Sequence, residues 1–192
     1  MMRGEGLAAI HAAAREAFAE QGYHATSVRD IARRAGVSMA ALYYHYEGKQ
    51  ELLFAVLRES VEDYFVTCEH ALAAAPDDPA AHLDALVGAT VRYRVRRRAE
   101  STLNLIEVRN LEPRYRKLLD ARVDTATRMW AGIIDDGVRA GVFATAWPDD
   151  ARRAVIAMCN AIADWYRPEG AVTVDELVER YVGLARTIVA CS

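Results

Sequence analysis

The stretch "GVSMAALYYHYEGKQEL", Gly36–Leu52, places three tyrosines and a histidine in four consecutive positions (Tyr43, Tyr44, His45 and Tyr46) and a lysine, Lys49, directly after Gly48. Aromatic rings usually fill cores. A helix turns about a quarter of a circle per residue, however, so four rings in a row cannot all face inward. Some of the cluster must face outward, and the flanking residues say why. Gly36 marks a turn with Val37 beneath it. Ser38 can cap a short helix that runs to about Tyr44 and is anchored by Leu42. With Leu42 inside, Met39, Tyr43 and, in part, Ala40 and Tyr44 project the other way. Upstream, Thr26 and Ser27 open a second helix whose inner stripe is Val28, Ile31 and Ala32, and Ser27 with Asp30 has capping-box spacing. Before that, Leu7, Ile10, Ala14, Ala17 and Phe18 share one face of a helix over about Glu5–Gln21, and Gly22 is placed to end it.

A longer helix followed by two short ones around a glycine turn is the helix-turn-helix arrangement. Its last helix lies in the DNA major groove while flanking groups bond phosphates. In that reading Tyr43, Tyr44 and His45 carry a polar donor on a rigid apolar ring, suited to phosphate oxygens or thymine methyls. Lys49 stands at a helix start, where free amides already favour an anion. Thr26 and Ser27 can bind phosphate from the other edge, Arg29, Arg33 and Arg34 add positive charge there with Arg29 taken as the candidate DNA contact, and Ser38, Met39 and Ala40 lie at the reading end.

Composition agrees. The 192 residues are 53% apolar and carry a net charge of −3. Residues 1–48 hold five arginines against five acidic residues, so DNA binding must come from a local face and not from bulk charge. No run of apolar residues is long enough to span a membrane. The apolar stretch Leu7–Ala14 contains His11 and runs into Arg15 and Glu16, unlike a secretory signal. Three separated cysteines (Cys68, Cys159, Cys191) suit free thiols in a reducing cytoplasm. The five histidines lack metal-ligand spacing, and there is no CxxC, GxSxG or phosphate-binding glycine loop. The sequence therefore assigns no catalytic residue, no metal and no cofactor.

The chain reads as all-α throughout. A fourth helix begins near Lys49 and can reach Ala75, roughly 40 Å at ~1.5 Å per residue. After the loop "APDDP", five more helices are expected at about Ala80–Arg98, Ser101–Asn110, Pro113–Ala140, Asp149–Tyr166 and Val174–Ala190, the third kinked at Gly132 or Gly137. The expected division is a helix-turn-helix domain, 1–48, and a helical ligand-binding and dimerisation domain, 49–192. The fourth helix joins the two as a lever.

The residues "FAEQGYHATSVRDIARRAGVSMAALYYHYEGKQEL", Phe18–Leu52, resemble the DNA-binding domain of the TetR family of bacterial transcriptional regulators. Ala40 stands where that family usually has glycine, and Tyr46 where it usually has phenylalanine. The resemblance implies about nine helices, a homodimer on a palindromic double-stranded DNA operator, and a ligand pocket in the C-terminal body. A repressor released by a small-molecule effector is the reading it favours. A DNA-binding regulator without an effector is the alternative.

The dimer surface is expected at about residues 149–190, on the stripes Ala154, Val155, Met158, Ile162, Trp165 and Val174, Leu177, Val178, Tyr181, Val182, Leu184, Ala185, Ile188. Candidate effector residues are Tyr93, Arg97, Asn104, Glu107, Arg109, Met129, Trp130 and Trp165; the same residues also describe an ordinary core. The run "RYRVRRR", Arg92–Arg98, is either an anion site or a solvated helix end. The segments "LNLIEVRNLEPRYRKLL" and "ADWYRPEG" resemble the C-terminal domains of TetR-family repressors of steroid or fatty-acid catabolism, which implies an acyl-CoA thioester as effector.

Overall fold

The computed structural model describes residues Arg3–Cys191, with side chains from Gly6 onward. Among these residues there are nine α-helices, and the only extended pairing is an isolated bridge between Phe143 and Cys191. The helices are α1 (Arg3–Ala25), α2 (Val28–Ala35), α3 (Met39–His45), α4 (Lys49–Ala74), α5 (Pro79–Arg96), α6 (Arg98–Glu107), α7 (Pro113–Arg139), α8 (Pro148–Trp165) and α9 (Val174–Ile188), with a 3-10 turn at Val108–Asn110. No helix is long and apolar enough to cross a membrane.

The boundaries follow local chemistry. Ser27, Ser38, Asp78 and Thr173 accept a backbone N–H at the starts of α2, α3, α5 and α9, and Thr173 forms a full capping box with Glu176. Proline opens α5, α7 and α8, where a missing N–H costs nothing. Gly22 (φ 76°) breaks α1 near its end, and Gly36 (φ 65°) closes α2 in the left-handed conformation. The kink expected in α7 is absent: the helix runs unbroken through Gly132 and Gly137.

Packing groups the chain into two compact units. The first comprises the residues up to Val61 together with Thr102–Arg122; the second comprises Glu62–Ser101 and the residues from Val123 on. This grouping differs from a cut at residue 48, because the first turns of α4 and the α6–α7 junction build the head. Its core contains Ile10, Ala14, Ala17 and Phe18 of α1, Ile31 of α2, Leu42 of α3 and Leu52–Leu57 of α4, closed by Leu103, Leu111, Tyr115 and Leu119. Phe54 stacks on Tyr115 at 5.1 Å between ring centroids.

The second unit has its own core. Leu83, Leu86, Val87 and Val91 of α5 meet Val155, Cys159 and Ile162 of α8, Leu177 and Ala185 of α9, and Trp130, Ile133 and Ile134 of α7. Gly88 lets α9 approach closely: a Cβ there would stand 3.4 Å from Val178. Asp84 and Arg186 join the same two helices, with Arg186 Nε 2.9 Å from Asp84 Oδ1.

Gly137 has a steric role. A Cβ at this position would lie 2.0 Å from the buried Phe143 ring. Gly137→Ala therefore overpacks the second core and is expected to cost ~1–3 kcal/mol, read as a lower urea midpoint at an unchanged m-value.

Candidate nucleic-acid interface

Seven residues are too few for a helix to stand alone in water, so α3 depends on its attachments. Ser38 Oγ accepts the Ala41 amide at 3.1 Å, Leu42 is completely buried, and Tyr46 turns inward just after the helix. Tyr46 donates to or accepts from His11 Nε2. Burial, reinforced by Glu51 and Glu59, pushes its phenol up to about 12, so it stays neutral. With these two side chains inside, Tyr43 and Tyr44 are left 52% and 68% exposed. Ala40 and Ala41 are exposed beside them, and His45 is half-buried, edge-on to Tyr44. Met39 departs from its expected outward placement: it is partly buried against the head core. Position 39 opens the turn that Leu42 anchors, so its thioether covers that anchor.

α2 offers the second edge. Ser27 is exposed, and its hydroxyl both accepts the Asp30 amide (3.1 Å) and donates to the Asp30 carboxylate (2.6 Å). That bond, with Arg33 nearby, holds Asp30 below the usual carboxylate range. Arg33 pairs with Asp30 and Arg34 with Glu20, which leaves Arg29 as the α2 arginine without a carboxylate partner among the described residues. The surface around α3 therefore carries exposed rings, hydroxyls and one uncommitted guanidinium, a set suited to phosphate and base edges.

Two expected phosphate contacts are already engaged. Thr26 is buried, and its hydroxyl donates to Gly22 O at 2.8 Å and Ala17 O at 3.1 Å. Lys49 Nζ donates to the carbonyls of Tyr23 and Thr26, both at 2.9 Å, and sits 4.2 Å over the Tyr23 ring. The positive end of α4 is met by its own residues, since Glu51 accepts the Glu47 amide at 2.6 Å. Lys49 thus ties the elbow between α1 and α2 to the start of α4.

The same elbow is held from its other side. Glu107, only 4% exposed, accepts the Tyr23 amide at 3.3 Å and the Asn110 side-chain amide at 2.6 Å. Gln50 donates to Tyr23 Oη and Asn110 O, both at 2.8 Å, and accepts the Glu112 amide at 2.9 Å. Sequence reasoning missed this network. Its bonds join residues as far as 84 positions apart, and no spacing rule connects them.

The candidate effector residues divide between the two units. Asn104, Glu107 and Arg109 belong to the head unit, where Asn104 donates to Ser60 at 2.7 Å and Glu107 braces the elbow. In the second unit Trp130 and Met129 lie in or against the core, Arg97 pairs with Asp63 and Glu100, and Trp165 is exposed on α8. Buried Tyr93 borders an open groove of about 430 Å³ whose walls include Thr67, Asp84, Gly88, Arg92 and Arg96.

Known proteins resemble this chain in sequence and fold. The family pattern "Bacterial regulatory proteins, tetR family" matches residues 10–56, and "Tetracyclin repressor-like, C-terminal domain" matches residues 76–189. The transcriptional repressor KstR2 of Rhodococcus jostii is 32% identical over 171 residues, covering 87% of this chain and 82% of its own. A tetR-family regulatory protein of Rhodococcus RHA1 superposes with a TM-score of 0.89 at 28% identity, over 100% of both chains. AibR, solved with isovaleryl coenzyme A and operator DNA, has the same fold (TM-score 0.84, 21% identity, covering 98% of this chain and 100% of AibR).

The engaged and the exposed side chains predict different outcomes. Tyr43→Ala and Tyr44→Ala are each expected to weaken binding to a selected duplex about tenfold, ~1.4 kcal/mol, with thermal stability nearly unchanged. Lys49→Met is expected to lower head stability by ~1–3 kcal/mol in denaturant titrations while leaving the salt dependence of DNA binding as it was. Arg29→Gln should instead reduce that salt slope by about one. The capped α3 with its outward tyrosines, the matched head and the matched helical body lead to one assignment: this chain belongs to the TetR family of DNA-binding transcriptional regulators.

Proposed function

We propose that the protein is a repressor that binds a palindromic operator as a homodimer in the cytoplasm and is released by a small-molecule effector. The observation that carries this reading is the pair Tyr43 and Tyr44, exposed on a helix whose Leu42 is fully buried. Residues 1–48 read the operator, with Ser27, Arg29, Ser38, Ala40, Tyr43, Tyr44 and His45 nearest the duplex. Thr26 and Lys49 act from behind as positioning residues for α2 and α3. The effector site and the dimer surface lie within residues 49–192, of which the start of α4 and Thr102–Arg122 also brace the head.

The dimer reading rests on α8 and α9. Val155, Ile162, Leu177 and Ala185 of the expected stripes are buried in their own unit. Trp165 and Leu184, however, are 48% and 51% exposed, beside exposed Ala154, Ala157, Ala161 and Gly183. Small residues flanking two large apolar ones form a surface that a second copy can approach closely. Two heads related by a two-fold axis then read half-sites roughly 34–36 Å apart.

An acyl-CoA thioester is the effector class we favour. The sequence segments Leu103–Leu119 and Ala163–Gly170 support it, and AibR, which shares the fold, holds isovaleryl coenzyme A. Coupling follows by mass action: an effector with higher affinity for a DNA-incompetent dimer draws the population off the operator. Selection of bound sequences from random DNA, with and without a panel of acyl-CoAs, tests the reading. A palindrome lost on adding one thioester is the expected result. A palindrome bound equally under every condition would favour a regulator without an effector.

Leu184→Asp tests the dimer. An exposed position tolerates the change within about 0.5 kcal/mol of monomer stability, whereas a charge placed in an apolar interface opposes association. Sedimentation should show monomers, and operator affinity should fall with them.

A further inference from the structure

Arg94 is an anomaly in the second unit. On α5, Leu83, Val87, Thr90 and Arg94 follow one another at helical spacing, and the first three are fully or almost fully buried. Arg94 therefore continues an inward stripe. Its guanidinium carbon lies 4.8 Å from the Tyr64 ring centroid and 5.6 Å from that of Tyr93. Nη1 donates to Ser101 Oγ at 3.2 Å, and Nε is buried with no acceptor.

The surrounding groups cannot balance this charge. Trp130 Nε1 donates to Tyr64 Oη at 3.3 Å, Tyr64 bonds Thr90 Oγ1 at 3.0 Å, and Thr90 donates to Leu86 O at 2.7 Å. That relay closes on a backbone carbonyl without involving the guanidinium. Burial pushes the Cys68 thiol up to about 11 and the Cys159 thiol up to about 12, so neither supplies a thiolate at neutral pH. Of the other arginines in this run, Arg92 pairs with Asp175 and Arg97 with Asp63 and Glu100, Arg98 donates to the Ala163 carbonyl at 2.7 Å, and Arg96 is exposed to solvent. Among the described residues no carboxylate pairs with Arg94. A half-buried guanidinium resting against two mutually packed tyrosine rings, with no carboxylate on its fork, is a receptor for an oxyanion.

We infer that Arg94 receives an anionic oxygen of the effector, within the α4, α5 and α8 packing marked by Tyr64, Tyr93 and Cys159. This rests on the effector reading above. The shared chemistry is an oxyanion on a molecule with an apolar portion, either the carboxylate of a free acid or a phosphate of its coenzyme A conjugate.

The test uses the full chain and the variant R94M, with R94Q as a second variant that keeps a polar side chain. The probes are octanoate, octanoyl-CoA, coenzyme A and, as a neutral control, octanol. Unliganded R94M should melt at or above the parent temperature, because a cation without a counter-ion has been removed. Octanoate, octanoyl-CoA or both should bind the parent, and bind R94M and R94Q at least tenfold more weakly, with octanol indifferent to the change. Binding of coenzyme A alone would assign the phosphate, and binding of octanoate without it the carboxylate. A melting temperature several degrees lower in both unliganded variants would make Arg94 a structural residue and overturn the inference. Equal octanoyl-CoA binding to parent and variants, with operator release, would overturn it while sparing the effector reading. If no probe binds any of the three proteins, both fail.

Discussion

The burial of Leu42 is the constraint on which the reading head depends. A helix of seven residues has almost no stability of its own, so its orientation is fixed by what it can hide. Leu42 and Tyr46 are hidden, on a helix start defined by Ser38 and a turn defined by Gly36. The helical repeat then leaves Tyr43 and Tyr44 no inward position. The outward half of the aromatic cluster is thus a geometric consequence of the inward half, and the proposed DNA contact is built on that consequence.

The elbow between α1 and α2 sets where the second helix begins, and it is restrained from two directions. Lys49 and Thr26 take up its carbonyls, while Glu107, Asn110 and Gln50 hold its amide and ring. Residues 102–122 therefore belong to the head as much as α1–α3 do. A buried carboxylate such as Glu107 is costly unless its bonds are made, so small movements of the α6–α7 junction have an energetic meaning at Tyr23.

Much of this was legible in the sequence. Serines, prolines and glycines announced nearly every helix boundary because their effect is local. Leu42 and the α1 stripe followed from periodicity. Lys49 was not legible as an internal donor, because its acceptors are backbone carbonyls 23 and 26 positions away and carry no residue-type signature. Glu107 and Asn104 were placed with a ligand for a related reason: polar residues on amphipathic helices look alike whether they meet a small molecule or another turn. Arg94 was hidden inside a basic run that suggested solvent, although the stripe Leu83, Val87, Thr90 carried the clue. The expected α7 kink failed because Gly137 serves the Phe143 ring and leaves the backbone helical.

The central claim is that the surface of α3, completed by the start of α2, is where DNA is read. Hydrogen–deuterium exchange on the full chain, with and without a selected operator duplex, measures this most directly. The account predicts new protection concentrated in peptides covering Ser27–Arg29 and Ser38–His45. Protection that spares those peptides and falls elsewhere on the chain would contradict it.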